Sequence, residues 1–115
     1  MTVATTEKQL YQGELHDEFA TLYTVPADCI TTVLSIDICN TTTASHTIEL
    51  CFVPNGDSAA TDTAVFWDLT IAAKSTLTWT GPQTLKDVGS TIQALTDADH
   101  ALTLTISGIE KVTTA

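Results

Sequence analysis

The chain contains no arginine, and its 4 lysines stand against 14 aspartates and glutamates, for a formal net charge of −10. Binding a nucleic-acid backbone requires clustered cations, so this balance excludes direct nucleic-acid binding. It disfavours an anionic membrane surface for the same reason. Nowhere does an apolar run approach the roughly 18–20 residues of a membrane-spanning helix. Met1 to Gly13 lacks the apolar stretch of a secretory leader, so synthesis in a cytosol-like compartment is expected. Glycine and proline are scarce, at 5 and 3 residues. Only 16% of residues are charged and 43% are apolar, a composition that folds rather than staying disordered. The 115 residues suit one compact domain.

Threonine, by contrast, is abundant, with 24 residues. Together with Val and Ile it favours strands, because β-branching restricts χ1 and packs well on a pleated surface. The periodicity agrees. Ile30, Thr32, Leu34, Ile36 and Ile38 alternate with Thr31, Val33, Ser35, Asp37 and Cys39, which predicts a strand with one apolar face. From His46, residues Ile48, Leu50 and Phe52 point inward and Thr47, Glu49 and Cys51 outward, and residues 40–45 suit a hairpin loop between the two strands. Further strands are expected at Phe19 to Val25, Ala64 to Ile71, around Leu77 and Trp79, around Ile92 and Ala94, and from Leu102 to Ser107. Gly81-Pro82 is expected to break the chain ahead of a short piece carrying Leu85 and Val88.

The predicted fold is therefore all-β: an antiparallel β-sandwich, jelly-roll-like, of eight or nine short strands. Residues 1–13 are expected as an N-terminal arm carrying a weak first strand near Leu10, residues 14–112 as the sandwich domain, and 113–115 as a short tail.

Catalytic signatures are absent. Ser, His and Asp occur without a Gly-x-Ser-x-Gly elbow, and the near absence of cations leaves no setting that would activate a cysteine. A domain of this size has little room for a deep cleft beside its core, so no enzyme is expected. His16-Asp17-Glu18 is the densest polar cluster, but adjacent residues on an extended chain point to opposite faces and do not converge on one ion. Asp97-Ala98-Asp99-His100, Asp57 and Asp62 read as turn residues, since Asp accepts backbone N–H bonds in turns and no EF-hand spacing is present. No metal and no cofactor are expected.

The cysteines are odd in number: Cys29, Cys39 and Cys51. In the predicted hairpin register Cys39 and Cys51 lie too far apart along the strands for a disulfide, so both are expected as free thiols on the face opposite Leu34, Ile36 and Leu50. Trp67 and Trp79 share the parity of core residues, which favours packing over a sugar-stacking role. Phe66 faces outward by the same rule, as do Val33, Val53 and Ile109. With Cys39 and Cys51 these make a candidate subunit contact, because apolar residues on the wrong side of several strands imply a partner.

The segment from Tyr23, with Val25-Pro-Ala, then Ile36-Asp-Ile-Cys-Asn-Thr41 and the returning Val53-Pro-Asn-Gly56, resembles a small β-sandwich domain of tailed-bacteriophage virion proteins. Ile71-Ala-Ala-Lys-Ser-Thr-Leu77, Leu85-Lys-Asp-Val-Gly-Ser-Thr-Ile92 and Thr103-Leu-Thr-Ile-Ser-Gly-Ile-Glu110 extend the likeness from about Glu14 to Val112. Asp28 departs from it, standing where that turn more often carries Gly, and the three cysteines are also unusual for such domains. The resemblance implies a non-enzymatic virion component that binds other virion proteins and forms homo-oligomers, often trimers. Capsid decoration (cement) is the first expectation, with neck, baseplate, tail or fibre positions as alternatives. A chain made in the host cytoplasm and carried on the outer virion surface, away from the genome, fits the acidic charge. From a different class, the alternative is a carbohydrate-binding module or adhesin using Trp67 and Trp79.

Overall fold

A computed structural model describes residues 2–85 and 87–114. Eight strands form: β1 (Thr2–Glu14), β2 (Ala20–Thr24), β3 (Cys29–Asn40), β4 (His46–Val53), β5 (Ala64–Ile71), β6 (Thr76–Thr84), β7 (Thr91–Thr96) and β8 (Leu102–Thr114). Among the described residues the only helical piece is a single 3₁₀ turn, Thr61–Thr63. The strands make two four-stranded antiparallel sheets, ordered β1-β8-β3-β6 (sheet A) and β2-β7-β4-β5 (sheet B). Every connection except β4 to β5 crosses between sheets, which is the strand order of an eight-stranded jelly roll. The predicted all-β sandwich is therefore the observed fold.

Between the sheets lies an aliphatic core that includes Leu15, Ile36, Ile38, Ile48, Leu50, Ile92, Leu102, Leu104 and Ile106, all essentially sealed from solvent. Its alternation is the one read from the sequence. Sheet A is much the longer layer. At about 3.3 Å per residue, its 13-residue strands β1 and β8 run far past the 5-residue β2 and 6-residue β7 of sheet B. The molecule measures 52 × 26 × 18 Å as a result.

Several expectations are corrected. The described part of the expected arm and tail is strand: β1 pairs with β8 from Thr2↔Thr114 to Glu14↔Thr103, so each satisfies the other's backbone. Met1 and Ala115 lie outside the described residues. Strands β3 and β4 form no hairpin. They belong to different sheets, and residues 41–45 carry the chain across the core. Asn40 governs that crossover. Buried at 1% exposure, it donates to the carbonyls of Ala44 (2.8 Å) and Ile71 (3.0 Å) and accepts from the amide and hydroxyl of Thr42.

Gly81-Pro82 does not end its strand either; β6 continues through a cis peptide to Thr84. Because β6 is an edge strand, proline can sit there without costing the ladder an internal hydrogen bond. The Leu85 and Val88 piece is loop at residues 85 and 87–90, with Leu85 buried as a plug and Val88 exposed. At Asp28, the departure from the familiar turn, φ is 59°. The position needs the left-handed region, and Asp is among the few non-glycine residues that occupy it readily.

Bulges account for the misassigned faces. One extra residue shifts a strand's parity and sends later side chains to the other face. Opposite β8, Val33 pairs with Gly108 but Ser35 with Ser107, which leaves Leu34 as the extra residue. Downstream, Ile36 and Ile38 point inward as expected. Upstream the faces are inverted: Cys29, Thr31 and Val33 are buried, while Ile30 is 45% exposed. In β5 the register slips between Ile48↔Leu69 and Leu50↔Phe66, and Asp68 has φ 54°. Phe66 therefore packs against the core, and Trp67 turns out to solvent at 43% exposure.

Candidate functional site

The side chains that could act lie on the sheet faces, along the edges and at one end of the sandwich. Of the residues expected at a subunit contact, Val33, Cys51 and Val53 are buried within the chain itself. Val33 belongs to the core. Cys51 does lie on the outer side of sheet B, but the segment after β4 folds over it and its thiol donates to the Ala60 carbonyl at 3.6 Å. These three offer no surface to a partner, and Phe66 is largely withdrawn into the core. Cys39 and Ile109 remain, half-buried on the outer face of sheet A. All three cysteines are free thiols, and Cys39 and Cys51 lie on different sheets.

The outer face of sheet A is a threonine field. Cross-strand pairs place Thr76, Thr78 and Thr80 of β6 in line with Cys39, Asp37 and Ser35 of β3, and these with Thr103, Thr105 and Ser107 of β8. Thr78 donates to Asp37 at 2.7 Å. Toward the Thr2 end the same face carries Ile109, opposite Thr32, with the exposed Ile30 diagonal to it. This pair is an apolar element of a surface dominated by hydroxyls, and Ile30 was missed because the bulge inverted its face. Beside it, β1 is an edge strand exposed from Ala4 to Gln9.

The tryptophans do not act together. Trp79 is half-buried against the core and meets Phe52 edge-on, with ring centroids 6.3 Å apart. It lines a shallow groove of about 400 Å³ between β4, β5 and β6. Trp67 stands on sheet B beside Phe19, with centroids 6.4 Å apart and planes tilted by 31°. On different sheets, the two indoles form no common platform.

Polar side chains gather in two further places. Tyr23 of β2 reaches across the sandwich, bonding Thr31 at 2.7 Å and donating to Glu110, which also pairs with Lys8 at 3.2 Å. Burial and the bond to Glu110 hold the Tyr23 phenol well above its ordinary pKa. At the opposite end lie all three histidines of the chain. His16 Nδ1 is 2.8 Å from Asp99 Oδ1, and His100 Nε2 is 3.2 Å from Asp99 Oδ2. On its other side His100 Nδ1 is 3.4 Å from Glu14 Oε1. The two imidazoles meet edge-to-face at 5.2 Å. His46 pairs separately with Asp97 at 2.9 Å. Burial alone would raise the Asp97 carboxyl; its bonds to His46 and the Thr47 amide outweigh that and hold it below the usual range. Two loops that read separately as bland turns are thus brought together.

No family model matches the sequence, and no curated protein matches it either. Solved structures do match the fold. A subunit of the disulfide-linked pili of Bacillus endospore appendages aligns with a TM-score of 0.55 at 16% identity, covering 99% of this chain and 90% of that one. The acid-stable capsid of Helicobacter pylori bacteriophage KHP30 gives 0.55 at 12% identity, covering 98% and 100%. A chain of infectious bursal disease virus, Gx strain, gives 0.55 at 13% identity; 96% of this chain aligns with 32% of that longer one. At these identities the likeness is one of fold.

Proposed function

We propose that this chain is a non-enzymatic structural subunit of a virion, and that it serves as a capsid decoration protein of a tailed phage. The carrying observation is the end-to-end correspondence with a chain of a phage capsid, in which a lone jelly roll of the same extent makes up the whole match. The resemblance of the Tyr23–Gly56 segment to phage virion domains supports the same reading from the sequence side. In this reading, sheet A's outer face and the β1 edge make the contacts. Ile30 and Ile109 supply apolar burial, threonine hydroxyls supply uncharged hydrogen bonding, and the edge can accept another strand. Neck, baseplate, tail or fibre positions would use the same surfaces. A net charge of −10 suits the outer side of the particle, away from packaged nucleic acid.

Light scattering over a concentration series tests the contact surface. The expected result is a homo-oligomer, with a trimer the first expectation, that dissociates in an Ile30→Lys, Ile109→Lys double variant with an unchanged circular dichroism spectrum. A wild type that stays monomeric at the highest soluble concentration would count against self-association. The exposed Trp67 beside Phe19 favours one second reading, a carbohydrate-binding module. Binding on a glycan array that disappears in Trp67→Ala would replace the structural reading with that one.

A further inference from the structure

We propose that His16, Asp99 and His100 form a binding site for a divalent transition metal of the zinc class. Their ligand atoms all lie within 4.8 Å of one another, and no other His, Cys, Asp or Glu group among the described residues converges in this way. Zinc takes imidazole nitrogen and carboxylate oxygen at about 2.0–2.2 Å, so its tetrahedral ligands stand roughly 3.3 Å apart. The separations of 2.8 and 3.2 Å from the Asp99 oxygens to His16 Nδ1 and His100 Nε2 need only small rotamer adjustments to reach that spacing.

Glu14 completes the arrangement from outside. Its carboxylate lies on the Nδ1 side of His100, with Oε1 3.4 Å from that nitrogen, where it favours the tautomer that carries the proton on Nδ1 and keeps the Nε2 lone pair for the metal. Carboxylate–histidine–metal relays of this kind orient the ring and raise its basicity. The supporting backbone is laced together: the His100 amide donates to the Leu15 carbonyl at 2.9 Å, and the Thr96 amide donates to the His16 carbonyl at 2.9 Å. Asp99 and His100 are neighbours in sequence, yet they serve one site because His100 sits in the left-handed region at φ 66°. That turn breaks the alternation which would otherwise send adjacent side chains apart.

Two imidazoles and one carboxylate suit Zn²⁺, Ni²⁺, Co²⁺ or Cu²⁺; Ca²⁺ and Mg²⁺ prefer shells built of oxygen. Three protein ligands leave a coordination position open, and both histidines are about half exposed, so the metal would exchange with solvent. The strongly acidic chain raises the local cation concentration. This inference rests on the side-chain geometry and holds whether or not the chain belongs to a virion.

The test is isothermal titration of the full chain with zinc chloride, followed by ring-nitrogen NMR of the histidines. One zinc per chain is expected, with no heat from magnesium. His16 and His100 resonances should shift while those of His46 stay in place. His16→Ala, His100→Ala and Asp99→Asn should each weaken binding at least tenfold, and His46→Ala should leave it unchanged. Cobalt should give the visible absorption of a four-coordinate site. Failure to take up zinc at millimolar concentration would overturn the assignment. So would uptake that survives all three ligand variants, or that is lost only when the thiols are blocked. The NMR arm uses the unaltered protein, so a variant that failed to fold would not spare the assignment.

Discussion

Asn40 illustrates how much a single polar side chain carries in this fold. It lies where β3 leaves sheet A, and its amide satisfies the buried Ile71 carbonyl, the Ala44 carbonyl and two donors of Thr42. Removing it unpairs the buried Ile71 carbonyl and loosens the Thr42–Ala44 turn, and an unpaired buried polar group costs about 1–3 kcal/mol. Asn40→Ala should therefore destabilise the chain by roughly 2–3 kcal/mol, seen in urea unfolding as a lower midpoint with an unchanged slope. A loss below half a kcal/mol would show that the crossover holds without its anchor. The sequence placed Asn40 in a loop, and its role there was not legible because its partners include Ile71, far along the chain. The histidine cluster was hidden for the same reason: His16 and Asp99 are 83 residues apart. Reading each loop alone, one sees neighbours that diverge rather than ligands that meet.

At the scale of elements, the strands were legible and their faces only partly so. Alternation is reliable between bulges and inverts across them. Ile38, Ile48 and Leu104 fall where the period puts them, whereas Ile30, Val33 and Trp67 do not. Bulge positions depend on the partner strands. β8 has an extra residue opposite it on both sides, at Leu10 in β1 between Ser107 and Ile106 and at Leu34 in β3 between Gly108 and Ser107. Gly108, beside them, leaves the space that Leu10 and the Thr32 backbone occupy. A Cβ there would strike the Thr32 carbonyl oxygen and come within 2.9 Å of a Leu10 methyl. Gly108→Ala should cost about 1–3 kcal/mol through overpacking. Ser107→Ala, one residue away on the outer face, should be near neutral in the same thermal unfolding experiment. Equal melting temperatures for the two variants would show that the bulges can relax.

For the molecule as a whole, the question is what joins a long sheet to a short one where the shorter runs out. Tyr23 does so from sheet B, bonding Thr31 and Glu110 of sheet A. Its phenol is held neutral in the fold, so its pKa is raised relative to the unfolded chain. A group of this kind contributes full stability below its unfolded pKa, about 10 for tyrosine, and that stability drains away as pH rises from there toward the folded value. Wild-type stability should thus be level up to about pH 9 and fall above about pH 10. Tyr23→Phe should be less stable at neutral pH yet lose less over the same alkaline interval, as read from denaturant midpoints. Parallel curves for the two proteins would remove Tyr23 from the inter-sheet joint. Legible in the sequence were the all-β class, most of the strands, the aliphatic core and the acidic charge. Each of these follows from composition and local period, which act within a few residues. Settled by the folded chain alone were the sheet order, the pairing of β1 with β8, which apolar residues face water and which side chains share a site. Those depend on contacts between segments distant in sequence, and on bulges whose position is set by the neighbouring strand.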